Sequence, residues 1–118
     1  MSRSLNSIEI ASVCHEANRA LTRIVGDVPV QPAWEDEDRG IRNSCINGVG
    51  FVLDHPDAPP SASHENWLKQ KVADGWTLGP EKSIEKKTHP AMVPYAQLPE
   101  EVQRKDRLFK AIVLALRD

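Results

Sequence analysis

Apolar residues near the start of this chain recur mostly three or four positions apart. They are Ile8, Ile10, Val13, Ala17, Ala20, Leu21, Ile24 and Val25. That interval lines one face of an α-helix and predicts a helix over 6–25. Asn6 or Ser7 can cap its start, Glu9 suits its first turn, and Gly26 is placed to stop it. The segment 28–35 holds two prolines and predicts an extended linker ending on Trp34. Helical spacing returns with Ile41, Cys45, Ile46, Val49, Val52 and Leu53, which predicts a second helix from about Asp36 to Leu53. Gly48 and Gly50 either weaken that helix or let another backbone come close.

Proline-rich 54–61 breaks the pattern again, and Ser61 or Ser63 can cap a short third helix over His64–Ala73, ended by Gly75. From Trp76 to Pro99 no regular period holds, yet Trp76, Ile84, Met92, Val93, Tyr95 and Leu98 recur there. Irregular segments this long and this rich in large side chains are usually packed and often functional. A short β-hairpin near Thr77–Lys87 is the one sheet element expected. Pro99 suits the first turn of a final helix reaching about Arg117, with Val102, Leu108, Phe109, Ile112, Val113 and Leu116 on its apolar side. The pattern therefore predicts a mainly α fold: a single compact domain over 1–118, about four helices, and a long ordered Pro-rich loop.

Length agrees with that picture, because 118 residues support one core and not two. Charged residues make up 27% of the chain, but the net charge is only -2. That balance argues against a nucleic-acid polymer as partner through a general basic field, while leaving room for a local basic pocket. Cys14 and Cys45 have no metal-site spacing and read as buried thiols in a reducing cytoplasm. Without a signal-like apolar run or a span of roughly 20 apolar residues, the expectation is a soluble cytoplasmic protein with no membrane partner.

Three groups of residues could carry chemistry. Trp67 and Lys71 sit one helical turn apart, so an indole and a cation share a face. Such a pair suits a flat base carrying a phosphate, or else Trp67 is core and Lys71 runs along it. Lys82, Lys86, Lys87 and His89 form a basic run between Trp76 and Tyr95. The run is either an anion-binding loop or a solvated surface partly cancelled by Glu81 and Glu85. His15, Glu16, Asn18 and Arg19 form either a hydrogen-bond network between helices or a polar wall of a pocket. A glycine-rich phosphate loop, a nucleophile elbow and a metal set with two histidines are all lacking, so neither catalytic nor metal residues nor a cofactor are expected. His64 and His89 could serve as acid or base, but no nucleophile accompanies them.

One ordered string goes further. His64, Trp67, Gly75, Trp76, Gly79, Pro80, Lys82, Lys87, His89, Pro90, Val93, Pro94, Tyr95, Leu98, Pro99, Glu100, Asp106 and Arg107 follow one another in this order. In this the C-terminal half resembles the ryanodine-receptor repeat (RyR) domain, with Trp34 and the second helix fitting more loosely. The resemblance divides the chain into an N-terminal extension, 1–27, and a repeat core, 28–118. The front segment HEANRALTRIVGD looks like the leader of stand-alone versions from bacteria and their phages. Leu78 departs from the family, where an aromatic commonly follows Gly-Trp-Thr.

The resemblance implies a mostly helical cytoplasmic module with an ordered loop. It implies a nucleotide-like ligand, with Trp67 stacked on an adenine and Lys71 meeting phosphate. It also implies scaffold roles: Asp106 and Arg107 tying the last helix to the loop by a salt bridge, and His89-Pro90 and Val93-Pro94-Tyr95 locking the loop onto the core. The expected function is a non-catalytic module for a nucleotide-derived ligand, contacted by Trp67, Lys71, Trp76, Lys82, Lys86, Lys87, Tyr95, His64 and Arg19. The alternative is a protein-interaction or structural module with the same aromatics buried. Exposed apolar surface on the first helix would favour that alternative through a homodimer.

Overall fold

Asn6 opens the first helix with a reciprocal cap: its side chain accepts from the Glu9 backbone N–H, and the Glu9 carboxylate accepts from the Asn6 N–H. Gly26 closes the helix with φ 77°, a left-handed conformation that costs glycine little. These two ends define α1, Ser7–Val25, in a computed structural model that describes residues 5–26 and 30–117. The first residues of the expected 28–35 linker, and its 27/28 boundary, lie outside the described residues. The rest of the linker runs into a 3-10 turn over Trp34–Asp36.

The second helix, α2, spans Arg39–Asp54 and begins three residues later than the spacing predicts. The reason is Asp38, whose carboxylate accepts from the Gly40 and Ile41 N–H groups and sets the true start. The third, α3, spans Pro60–Ala73 and starts four residues early. Neither serine caps it; Pro60 occupies the first turn, where a missing N–H is harmless. Gly75 follows α3 with φ 87°. The last helix, α4, spans Glu100–Leu116 and has Pro99 at its N-cap position.

The expected hairpin is replaced by something smaller. Two short strands, β1 (Thr77–Leu78) and β2 (Thr88–His89), pair in parallel, with Thr77 opposite Thr88 and Leu78 opposite His89. An antiparallel bridge, Ser83 to Thr88, folds the intervening loop back on itself. Gly79 allows this, because a Cβ there would stand 2.7 Å from the Thr88 Cβ.

The core lies where α1, α2 and α4 meet. Ile10, Ala11, Cys14, Val49, Val52 and Val113 form its buried centre, flanked by Phe109, Ile112 and Leu116. Gly48 lets the Phe109 ring come close, since an added Cβ would sit 3.2 Å from it; Gly50 has open space instead. Both cysteines are free, and burial pushes both thiols up to about 12. Not all of the predicted apolar face is covered: Ile8, Val13, Ile24 and Val25 on α1, and Leu108 on α4, are exposed. The amphipathic pattern identified the helices, but on α1 and α4 only part of the stripe meets a neighbour. Among the described residues no helix is long and apolar enough to cross a membrane.

Candidate functional site

The side chains that α3 buries are not its apolar ones. They are His64 and Lys71, so α3 meets the rest of the molecule through a polar and aromatic seam. His64 donates from Nε2 to the Val93 carbonyl at 2.7 Å and stacks on Trp67, with ring centroids 5.4 Å apart. Trp67 meets the His89 ring edge-on at 4.9 Å, and His89 leans on Trp76 at 6.5 Å. The irregular segment is thereby fastened to α3, in agreement with the scaffold role implied for Val93-Pro94-Tyr95.

Lys71 sits inside this aromatic group. Its Nζ stands 4.5 Å from the centre of the Trp76 ring and 5.9 Å from that of Trp67. Lys71 is only 5% exposed and Trp76 only 8%. Among the described residues no carboxylate pairs with the Lys71 ammonium within 4.0 Å. Burial lowers its pKa, Lys82 adds to that, and the fields of Asp74 and Asp38 oppose it. Lys82 is exposed at the surface, yet its pKa is also lowered, by desolvation first and then by Lys105. Glu37 and Asp38 act in the opposite sense on Lys82.

A hollow of about 330 Å³ opens on this seam. Trp76, Ile84 and Gly40 form its apolar and backbone wall; Lys71, Lys87, Asp38 and Asp74 supply its charges. Lys87 is held in place by its own backbone and side chain. It adopts φ 53°, uncommon for a residue with a Cβ, and its Nζ donates to the Asp74 carbonyl at 2.8 Å.

His89 is the neutral member of the group. Its Nδ1 accepts from the Ala91 N–H at 3.0 Å, which leaves the ring proton on Nε2. Burial, then Lys82, Lys71, His64 and Lys105, hold its pKa down to about 4. Behind it, the Asp106 carboxyl is pushed up to about 6 by burial, against the pull of His64. Asp106 Oδ2 lies 3.9 Å from His64 Nδ1 and has no hydrogen-bond partner.

The expected contact residues therefore fall into separate places. Lys71, Trp76 and Lys87 line the hollow, with Lys82 in electrical contact. Trp67 and His64 are not among the lining residues; Trp67 stands on the far side of Lys71, gripped by two histidine rings. Lys86 is exposed, and its backbone N–H donates to the Ser83 hydroxyl. Tyr95 packs towards His64, with centroids 6.1 Å apart.

Arg19 is not among the residues that line the hollow. It donates to the Gln31 carbonyl and to Glu16, while Glu16 accepts from the Trp34 N–H and Asn18 reaches Gln31. His15 Nε2 meets a buried Glu37 carboxylate at 2.8 Å. This is the inter-element network considered for that group, tying α1 to the segment before α2. The implied salt bridge also differs. Arg107 pairs with Glu100 on its own helix, and Asp106 faces His64 on α3 instead of the loop.

Asp38, Asp74 and Lys105 were missed. Asp38 could have been found as the N-cap of α2, but nothing in the spacing of Asp74 places it beside Trp76, nor that of Lys105 within the field of Lys82 and His89. Among the described residues no group of three His, Cys, Asp or Glu side chains could hold a metal ion.

The molecule is thus a small helical domain whose distinctive part is an aromatic and cationic seam between α3 and the ordered loop. Residues 58–115 match the family model of the RyR domain, and this part of the chain is similar to that family. The match runs from just before α3 nearly to the end of α4 and so covers the whole seam. The core, however, is closed by α1 and α2, which precede the matched residues.

Proposed function

We propose that this protein is a non-catalytic binding module for a nucleotide-derived ligand, received in the hollow beside Trp76. One observation carries the reading: the Lys71 ammonium is buried beside two indoles and, among the described residues, has no paired carboxylate. A buried cation without a counter-ion costs stability, and an arriving phosphate would supply the missing partner. Ile84, exposed beside the largely buried Trp76, offers apolar surface for a base, and 330 Å³ lies at the small end of ligand sites. Lys82 and Lys87 add positive potential at the margin. The stand-alone microbial setting suggested by the front segment, and action in the cytoplasm as a sensor or a sponge for a signal, belong to the same proposal.

Thermal-shift screening against mono- and dinucleotides tests it. A ligand at 100 times its dissociation constant adds about 2.7 kcal/mol of stability. Lys71→Met should abolish the shift while the protein stays folded. No shift with any nucleotide at millimolar concentration would defeat the reading.

A second reading has its own support. Ile24 is 81% exposed and Val25 55%, which leaves apolar surface at the end of α1 for a protein partner or a second copy. Sedimentation of the parent and of an Ile24→Lys variant separates the two: a dimer lost in the variant supports this reading.

A further inference from the structure

The hollow is not simply basic. Two lysines, Lys71 and Lys87, face two acids, Asp38 and Asp74, in one cavity. A polyphosphate would meet the acids unfavourably, and a purely neutral ligand would leave Lys71 unpaired. The cavity therefore fits a ligand that brings one anionic group together with hydrogen-bond donors. The acids are free to accept. Asp38 uses Oδ2 for the Gly40 and Ile41 N–H groups, and its other oxygen has no hydrogen bond among the described residues. The Asp74 carboxylate is likewise without a partner there; its hydrogen bonds are made by its backbone, the N–H to the Gln70 carbonyl and the carbonyl from Lys87. Lys71, lining the same cavity at 5% exposure, is the independent sign that something anionic belongs inside.

Resting on the nucleotide reading above, we propose that Asp38 and Asp74 read the hydroxyls of a ribose, so that the ligand is a ribonucleotide with a free 2′,3′-diol and one phosphoryl group within the hollow. A carboxylate accepts both hydroxyls of a vicinal diol well, because charge-assisted hydrogen bonds are about twice as strong as neutral ones. A site built to bond hydroxyls rejects the analogue that lacks them, since its acceptors are then desolvated for nothing.

The test uses calorimetry with AMP and 2′,3′-dideoxy-AMP on the full chain. The parent should bind AMP at least about tenfold more tightly, which corresponds to about 1.4 kcal/mol. In Asp38→Asn with Asp74→Asn the preference should fall to about twofold or less, an amount near 0.4 kcal/mol. Asparagine keeps an oxygen that can cap α2, and circular dichroism checks that the fold is retained. If the double variant fails to fold, Asp74→Asn alone serves, because Asp74 is exposed and its carboxylate makes no hydrogen bond among the described residues. Equal affinity for the two nucleotides in the parent overturns the proposal and leaves the nucleotide reading standing. An undiminished preference in the variants overturns it as well. Failure of both nucleotides to bind the parent overturns this proposal, and the nucleotide reading with it where no other nucleotide shifts the melting temperature.

Discussion

Replacing Lys71 with methionine should make this protein more stable and, at the same time, unable to hold an anion. The side chain is 5% exposed, its ammonium has no ion pair among the described residues, and its stem packs between Trp67 and Trp76. Methionine keeps an unbranched chain of similar length and makes favourable contacts with aromatic rings. The charge contributes about 0.5–2 kcal/mol through the two indoles. Against this stands the desolvation of a buried ion, several kcal/mol in general, here softened by the fields of Asp74 and Asp38. The balance favours Lys71→Met by about 1–2 kcal/mol, or roughly 4–8 °C in melting temperature for a domain of this size. Differential scanning calorimetry without ligand measures it, and adding the bound nucleotide should close the gap by stabilising the parent alone. A melting temperature lowered by more than about 2 °C would show that the cation is part of the scaffold and refute the argument.

Asp106 and His89 should pull stability in opposite directions with pH. The Asp106 pKa is raised from 3.8 to about 6, so the native state gains relative stability as pH falls through that window. That of His89 is lowered from 6.5 to about 4, so its contribution is whole above 6.5 and lost as pH falls towards 4. Each is worth at most ~3 kcal/mol, and between pH 6 and 4 they nearly cancel. Melting curves should show the advantage of Asp106→Asn over the parent greatest above pH 6 and vanishing near 4, with His89→Gln gaining on the parent over the same descent. Glu37→Ala should cost about 2–3 kcal/mol in urea unfolding, because it strands the buried His15. Gly79→Ala should cost about 1–3 kcal/mol and loosen the β1–β2 loop in hydrogen exchange, because its Cβ would collide with Thr88.

The four helices were legible because each has a cause that acts locally. Asn6, Glu9 and Gly26 bound α1 through caps made within a few residues, and the apolar period marks the helices that build the core. The boundary shifts have causes of the same local kind: Asp38 caps α2 later than the start its spacing predicts, and Pro60 as first-turn residue outweighs Ser61 and Ser63 for α3. The pairing of Lys71 with Trp67 was also readable, since residues four apart on a helix share a face.

What the tertiary structure alone decided is which of these residues meet across the chain. Thr77 pairs with Thr88 in parallel and not as a hairpin, because the loop between them folds back through Ser83. Asp38 stands beside Lys71 although 33 positions separate them in the sequence, for reasons that lie in how α2 and α3 pack. Trp67 was set against two histidines and Trp76 against the hollow, a division that no spacing contains. Local hydrogen bonds and periodicity depend on neighbours a turn away and are written in the sequence. The field at Lys71 depends on what several distant segments bring to one place, and only their packing determines it.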